Sequence, residues 1–171
     1  MKLHSIIAIA AVLLFTVSLT SCGGSGKYAN STPKELGESL FAAVKANDAE
    51  GMLELFPTKD DMLSSLNKAD IPSEQKDEMV KKFSSEWPEM QKEMKSAIES
   101  SMKEISNDVK VEELELVEVK ADDIEEREGF EQTNVEVMVK AGEKAMTLEI
   151  RRAGHMESGW VMSPRGFRVR E

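Results

Sequence analysis

Few residues in this chain are equipped for chemistry. Cysteine occurs once, at Cys22, and histidine twice, at His4 and His155. A lone thiol closes no disulfide within the chain, and one cysteine with one histidine beyond the N-terminal apolar run falls short of the usual zinc ligand sets. His155, in "RAGHMESG", would need a carboxylate or backbone partner and a pocket to act as a general base. No such partner stands out in the sequence, so it reads as a solvated residue in a turn between strands. No Ser-His-Asp set can be completed except through His155, and there is no glycine-rich phosphate loop. Asp122-Asp123 with Glu125-Glu126 could attract calcium but lacks the alternating aspartate spacing of a calcium loop. Met79, Met90, Met94 and Met102 carry thioethers that suit cuprous copper. At helical spacing, though, flexible thioethers belong in a core, where they fill irregular gaps. No metal and no cofactor is expected.

Charge is unevenly placed along the chain. There are 32 acidic and 22 basic side chains, for a formal net charge of −10. That balance argues against nucleic acid as a partner, because such binding depends on neutralising phosphates. From Glu104 to Glu131 there are 12 acidic and three basic residues. From Lys144 to Glu171 there are six basic and three acidic ones, including five of the six arginines. Arg151, Arg152, Arg165 and Arg168 are therefore candidates for contact with an anionic ligand or partner, since guanidinium groups pair bidentately with carboxylates and phosphates. The plainer reading is cross-strand pairing between acidic and basic strands of one sheet, and surface pairs of that kind are common.

The N-terminus has a different character. Lys2 supplies a positive charge, Ile6 to Leu19 runs 14 residues without one, and Ser21-Cys22-Gly23-Gly24 ends the run. A membrane span needs about 20 apolar residues, so residues 1–21 describe a secretory signal peptide. Leu19-Thr20-Ser21-Cys22 resembles the lipobox of bacterial lipoproteins: an aliphatic residue, two small residues and cysteine. The resemblance implies that the Cys22 thiol receives a diacylglyceryl group, that the chain is cut before it, and that the new amino terminus is acylated with a chain such as palmitate. One acyl chain binds a bilayer only marginally, whereas several together hold effectively permanently. The expected location is the cell envelope. Gly23 is not the aspartate that marks inner-membrane retention in some bacteria, which favours the outer membrane. Residues 22–31, rich in glycine and serine, read as a flexible tether with a root-mean-square span of about 18 Å.

The remaining residues, 32–171, must supply the fold. Thr32 is placed to cap a helix, Pro33 suits its first position, and Glu35 completes a Thr-x-x-Glu capping box. Leu36, Leu40 and Val44 then give an apolar stripe, with Phe41 beside them. Asn47-Asp48 ends that helix and caps a short one holding Met52 to Phe56, which Pro57 stops. A third helix is expected around Lys59 to Lys68. From Met79 to Ile105, apolar residues step by three or four, which makes a long amphipathic helix; Pro88 predicts a kink or break near Ser84 to Trp87. After Asn107 the period falls to two. "VKVEELELVEVK" alternates imperfectly, and its doublets Glu112-Glu113 and Leu116-Val117 predict bulges. "TNVEVMVK" and "AMTLEIRR" each place alternate apolar residues on one face, joined by a turn at Ala141-Gly142-Glu143-Lys144. "SGWVMS" reads as a late strand, and "RGFRVR" as an extension of the sheet.

Helices first and an antiparallel sheet afterwards make an α+β domain. Thr32-Pro33-Lys34-Glu35-Leu36, Phe41, Ala46-Asn47-Asp48, Met52 to Phe56 and Gly159-Trp160-Val161-Met162-Ser163 together resemble the NTF2-like superfamily, particularly its small bacterial lipoprotein members. The resemblance implies a curved antiparallel sheet wrapped around N-terminal helices, a cone with an apolar pocket. Phe41, Val44, Trp87, Met90, Met94 and Trp160 are the candidate pocket lining. The methionine-rich helical segment from Ser73 to Asn107 departs from the family pattern. Enzymes of the superfamily often use an Asp-His or Tyr-Asp arrangement, and the only tyrosine, Tyr28, falls in the expected tether.

The expectation is a lipid-anchored envelope protein whose domain is a non-catalytic binding or interaction module. Its partners would be the membrane, through acyl chains on Cys22, and an apolar small ligand or another envelope protein. Two alternatives stand beside it: a cone-pocket enzyme using His155 or a buried carboxylate, and a purely structural docking partner.

Overall fold

Thr32 opens the first helix, its side chain accepting a hydrogen bond from the Glu35 amide at 3.1 Å. The Glu35 carboxylate reaches back one residue further than a capping box requires and accepts from Ser31 N at 2.9 Å. The computed structural model describes residues 26–69, 71–127 and 129–170, so Cys22 and the apolar run before it lie outside the described residues. Helix α1 spans Pro33–Lys45 and α2 spans Ala49–Leu53, capped by Asp48, whose carboxylate accepts from Gly51 N at 2.8 Å. Helix α3, Lys59–Lys68, has a complete capping box between Thr58 and Asp61. Helix α4 runs unbroken from Ser73 to Asp108 and passes through Pro88. The expected break is absent: Pro88 removes one backbone donor, but its face of the helix is solvent-exposed, so water can take up the carbonyl left over. Met94, Ile98, Met102 and Ile105 bury the C-terminal part of α4, whereas Met79 is exposed.

The chain then turns through a single 3-10 turn, Val111–Glu113, into the sheet. Glu112-Glu113 therefore forms a turn and not the expected strand bulge. The strands are β1 (Glu115–Ala121), β2 (Glu125–Arg127), β3 (Phe130–Ala141), β4 (Lys144–Met156), β5 (Gly159–Val161) and β6 (Phe167–Arg170), all paired antiparallel. β1 and β2 follow each other along one edge of β3, and β6 and β5 share the outer edge of β4. Gly142, at φ +60°, makes the tight β3–β4 turn. The bulge expected at Leu116-Val117 is present as a register shift between Leu116 and Glu118.

A line of irregularity crosses the sheet. At one level the edge breaks between β1 and β2, β3 and β4 slip register between Thr133 and Val135, and the other edge breaks between β5 and β6. Bulges and strand breaks bend a sheet, and this one is curled. Its inner face presents Val135, Val137, Val139, Met146, Leu148 and Ile150 to α1 and α4, in one contiguous core with Leu36, Leu40, Val44, Met52, Leu55 and Phe56. Burying each large aliphatic side chain contributes about 1.5–3 kcal/mol. Gly37 brings α1 close against β1 and β3, since a β-carbon there would stand 2.6 Å from Val119 Cγ1.

Residues 26–31 belong to the fold and do not form the free tether expected of them. Lys27 N donates to Glu54 Oε2 at 2.7 Å, Tyr28 Oη to Asp48 Oδ2 at 2.9 Å, and Asn30 O accepts from Trp160 N at 2.7 Å. Ser39 Oγ donates to Ala29 O as well. Glycine content suggested a loose linker, but Lys27 to Asn30 contains enough hydrogen-bonding groups to act as a strap.

Candidate functional site

The strongest constellation lies on the bend. Along β4 a regular alternation would turn Arg152 inward after Ile150. Instead Arg152 takes φ +54° and donates its backbone N–H to Asn134 Oδ1 at 3.1 Å, so that Arg151 and Arg152 oppose a single residue of β3. Ile150 and Ala153 remain buried, and both arginines between them are exposed. The outer edge supplies the rest. Ser163-Pro164-Arg165-Gly166 closes a turn in which Gly166 N donates to Ser163 O at 2.8 Å, with proline at the second position and glycine at the fourth. Arg168 follows on β6, directly opposite Glu149.

Arg151, Arg152, Arg165 and Arg168 thereby line one cleft of about 420 Å³, together with Glu149 and the 163–166 turn. The four candidate anion contacts, from two separate stretches of sequence, are brought together. Their states differ. Glu149 is nearly buried, and Arg151 Nε stands 3.0 Å from its Oε2, close enough for an ion pair but not aligned as a hydrogen bond. Arg170 Nη1 adds weaker attraction at 3.6 Å to Glu149 Oε1 and 3.8 Å to Glu136 Oε1. The expected cross-strand pairing is found for Arg170 on β6, with Glu149 on β4 and Glu136 on β3, while Arg151 pairs with Glu149 along its own strand. Among the described residues, Arg152, Arg165 and Arg168 have no ion-pair partner. Three guanidinium groups without a direct ion pair along one cleft can hold an anion through charge-assisted, bidentate hydrogen bonds.

A second cleft, of about 270 Å³, lies beside α3. His155 lines it, and its position is a correction: it sits within β4, opposite Trp160, and not in a turn. Its Nδ1 is 2.7 Å from Glu131 Oε2, and its ring stacks on that of Trp160 with centroids 5.1 Å apart. Asp61 also reaches this cleft. Burial works to raise its pKa, but hydrogen bonds from Ser158 and Thr58 outweigh burial and the net shift is downward. Asp61 is thus a tied-down carboxylate that fastens the β4–β5 turn to α3, with Ser158 Oγ and Thr58 Oγ1 each at 2.7 Å.

The six candidate pocket residues fall elsewhere. Val44, Met94 and Trp160 are buried in the core, Phe41 and Trp87 pack at its margin, and Met90 is half-buried on α4. None of the six lines either cleft, nor a smaller one of about 140 Å³ between Asp122, Arg127 and Arg152. Sequence reading missed Glu131, submerged in an acidic stretch, and Glu149, one of three carboxylates in the basic stretch, because only strand pairing singles them out. Tyr28 and Asp48 form a Tyr–Asp pair after all, at the strap. There the Lys27 ammonium, the Gly51 amide and the Tyr28 hydroxyl hold the Asp48 pKa down to about 2.

The fold is α+β, with helices packed against a curled antiparallel sheet. No family model and no curated protein matches the chain. Among solved structures, a cystatin-like protein from Ruminococcus gnavus is similar at 19% identity and a TM-score of 0.48, over 81% of this chain and 45% of that one. This chain therefore spans less than half the length of that protein.

Proposed function

We propose that the chain is a lipid-anchored envelope protein, acylated at Cys22, whose NTF2-like domain is a non-catalytic binding module for an anionic ligand. The observation that carries the reading is the arginine cleft, in which three guanidinium groups have no ion-pair partner among the described residues around about 420 Å³. Carboxylates are plentiful in this chain, 32 acidic side chains to 22 basic ones, yet none within the described residues pairs with these three. Leaving three unpaired side by side suits an incoming carboxylate or phosphate. The test is calorimetric titration of the chain from residue 22 onward, carrying Cys22→Ser, with pyrophosphate and citrate. That chain keeps every described residue. Binding should be lost in Arg165→Ala/Arg168→Ala, and at 100 times Kd the ligand should stabilise the fold by about 2.7 kcal/mol. Equal affinity for wild type and the double variant would refute the assignment.

One observation favours a second reading. His155 has the carboxylate partner and the cleft that a general base requires. If it serves acid–base chemistry, a hydrolase substrate panel should reveal an activity that disappears in His155→Gln and falls in Glu131→Gln. Silence across the panel, with the anion titration positive, would leave the binding module standing alone.

A further inference from the structure

Resting on the anion-binding and lipid-anchor reading above, we infer that the arginine cleft faces the bilayer and takes the phosphate of an anionic lipid headgroup. The link is the strap. From Lys27 to Ser31 the backbone is fastened to Glu54, Ser39, Trp160 and Glu35 in succession. Between Cys22 and Gly26, the first described residue, there are at most four steps of chain, which even fully extended reach only about 14 Å. An acylated Cys22 would hold the strapped corner of the domain against the membrane surface.

That corner and the cleft share one end of the molecule. Asn30 is bonded to Trp160 on β5, and the cleft's 163–166 turn begins three residues further on. Met162 N, just before that turn, donates to Leu55 O at 2.7 Å, and Leu55 adjoins Glu54, which holds Lys27. Gly166 lies beside the Phe56 ring, since a β-carbon there would stand 3.4 Å from Phe56 Cζ. The opposite end is the Gly142 turn, about eight residues of β4 and roughly 25 Å from Arg151-Arg152. The strap therefore points the cleft, and not the hairpin tip, toward the surface it is tied to.

Electrostatics decides whether contact is favourable. A chain of net charge −10 is repelled by an anionic bilayer at long range, but at physiological salt charges are screened beyond about 8 Å. What the surface meets is the local charge. On the Arg152 side, Asp122, Asp123 and Glu125 stand close by. On the other side Arg165 and Arg168 have no ion-pair partner among the described residues, and the one carboxylate lining the cleft with them, Glu149, is nearly buried, so they make the approach. Each basic residue held at an anionic leaflet raises affinity about five-fold.

The experiment uses the Cys22→Ser chain from residue 22 onward. It is sedimented with vesicles of phosphatidylcholine, or of phosphatidylcholine mixed with phosphatidylglycerol, and titrated in parallel with pyrophosphate. The chain should bind the anionic vesicles and not the neutral ones. Arg165→Ala/Arg168→Ala should lower vesicle affinity about 25-fold, and Arg127→Ala, on the far edge of the sheet, should leave it unchanged. Arginine-dependent pyrophosphate binding without vesicle binding would overturn the headgroup inference and keep the anion cleft. Failure to bind either would overturn both. Vesicle binding that survives the double substitution would overturn the inference as well.

Discussion

Replacing Gly37 by alanine sets two known effects against each other at one atom. Gly37 is inside α1, and in a solvated helix the change to alanine would stabilise by about 1 kcal/mol. Gly37 is also buried, and the added β-carbon would stand 2.6 Å from Val119 Cγ1, 3.0 Å from Val135 Cγ1 and 3.1 Å from Val137 Cγ2. The first contact is too short to persist, and valine is stiff at χ1, so α1 must lift from β1 and β3. Overpacking of this kind costs about 1–3 kcal/mol. The cost exceeds the propensity gain, and the expected net is a loss of about 1 kcal/mol. In a chain of this size that lowers Tm by about 2–4 °C. Urea unfolding followed by tryptophan fluorescence reads the change directly. Val119→Ala makes room for the new methyl, so the double variant should be more stable than the sum of the single losses by at least 0.5 kcal/mol. If Gly37→Ala stabilises the protein, or the two changes simply add, the close approach of α1 to the sheet is wrong.

Other outcomes follow from the same structure. Met94→Ala should destabilise by about 2–5 kcal/mol through lost burial and a cavity, while Met79→Ala, at 45% exposure, should change stability by less than about 0.5 kcal/mol in the same unfolding assay. Asp48 has a folded pKa of about 2, below the ordinary 3.8, so its contribution to stability is complete above pH 4 and is lost as pH falls toward 2. Hydrogen exchange at the Gly51 amide, which donates to Asp48, should quicken in that window relative to other core amides, and Asp48→Asn should remove the pH dependence. Cys22→Ala should abolish incorporation of labelled fatty acid; equal labelling of wild type and variant would end the lipoprotein reading.

Much of the fold was legible because its signals are local. Thr32 and Asp48 cap helices through residues three positions away, and Gly142 makes a turn from its own backbone freedom. The period of three to four in Met94, Ile98, Met102 and Ile105, and of two in Val135, Val137 and Val139, reports which face is buried whatever the burial partner proves to be. Pro88 did not end α4, because a rule about backbone donors carries no information on solvent exposure, and an exposed helix face leaves the freed carbonyl open to water. Glu112-Glu113 misled because doubled charges look alike in a bulge and in a turn.

The site belongs to the other category. From composition, the arginines near the C-terminus were visible as an excess of charge, and the proposed acylation of Cys22 rests on the four adjacent residues Leu19 to Cys22. That Arg151 and Arg152 both face outward required a bulge opposite Asn134, and that they meet Arg165 and Arg168 required β6 to pair with β4 beyond a four-residue turn. Which arginines have an ion-pair partner among the described residues was set by side-chain reach in the packed sheet, since Glu149 meets Arg151 and Arg170 although Arg168 is the residue opposite it. His155 acquired Glu131 in the same way, and Tyr28 acquired Asp48 across 20 residues. Capping, turns and periodicity depend on neighbours along the chain, which the sequence determines directly. Charge pairing depends on distances of a few ångströms between residues far apart in that chain, and only the packed sheet decides those.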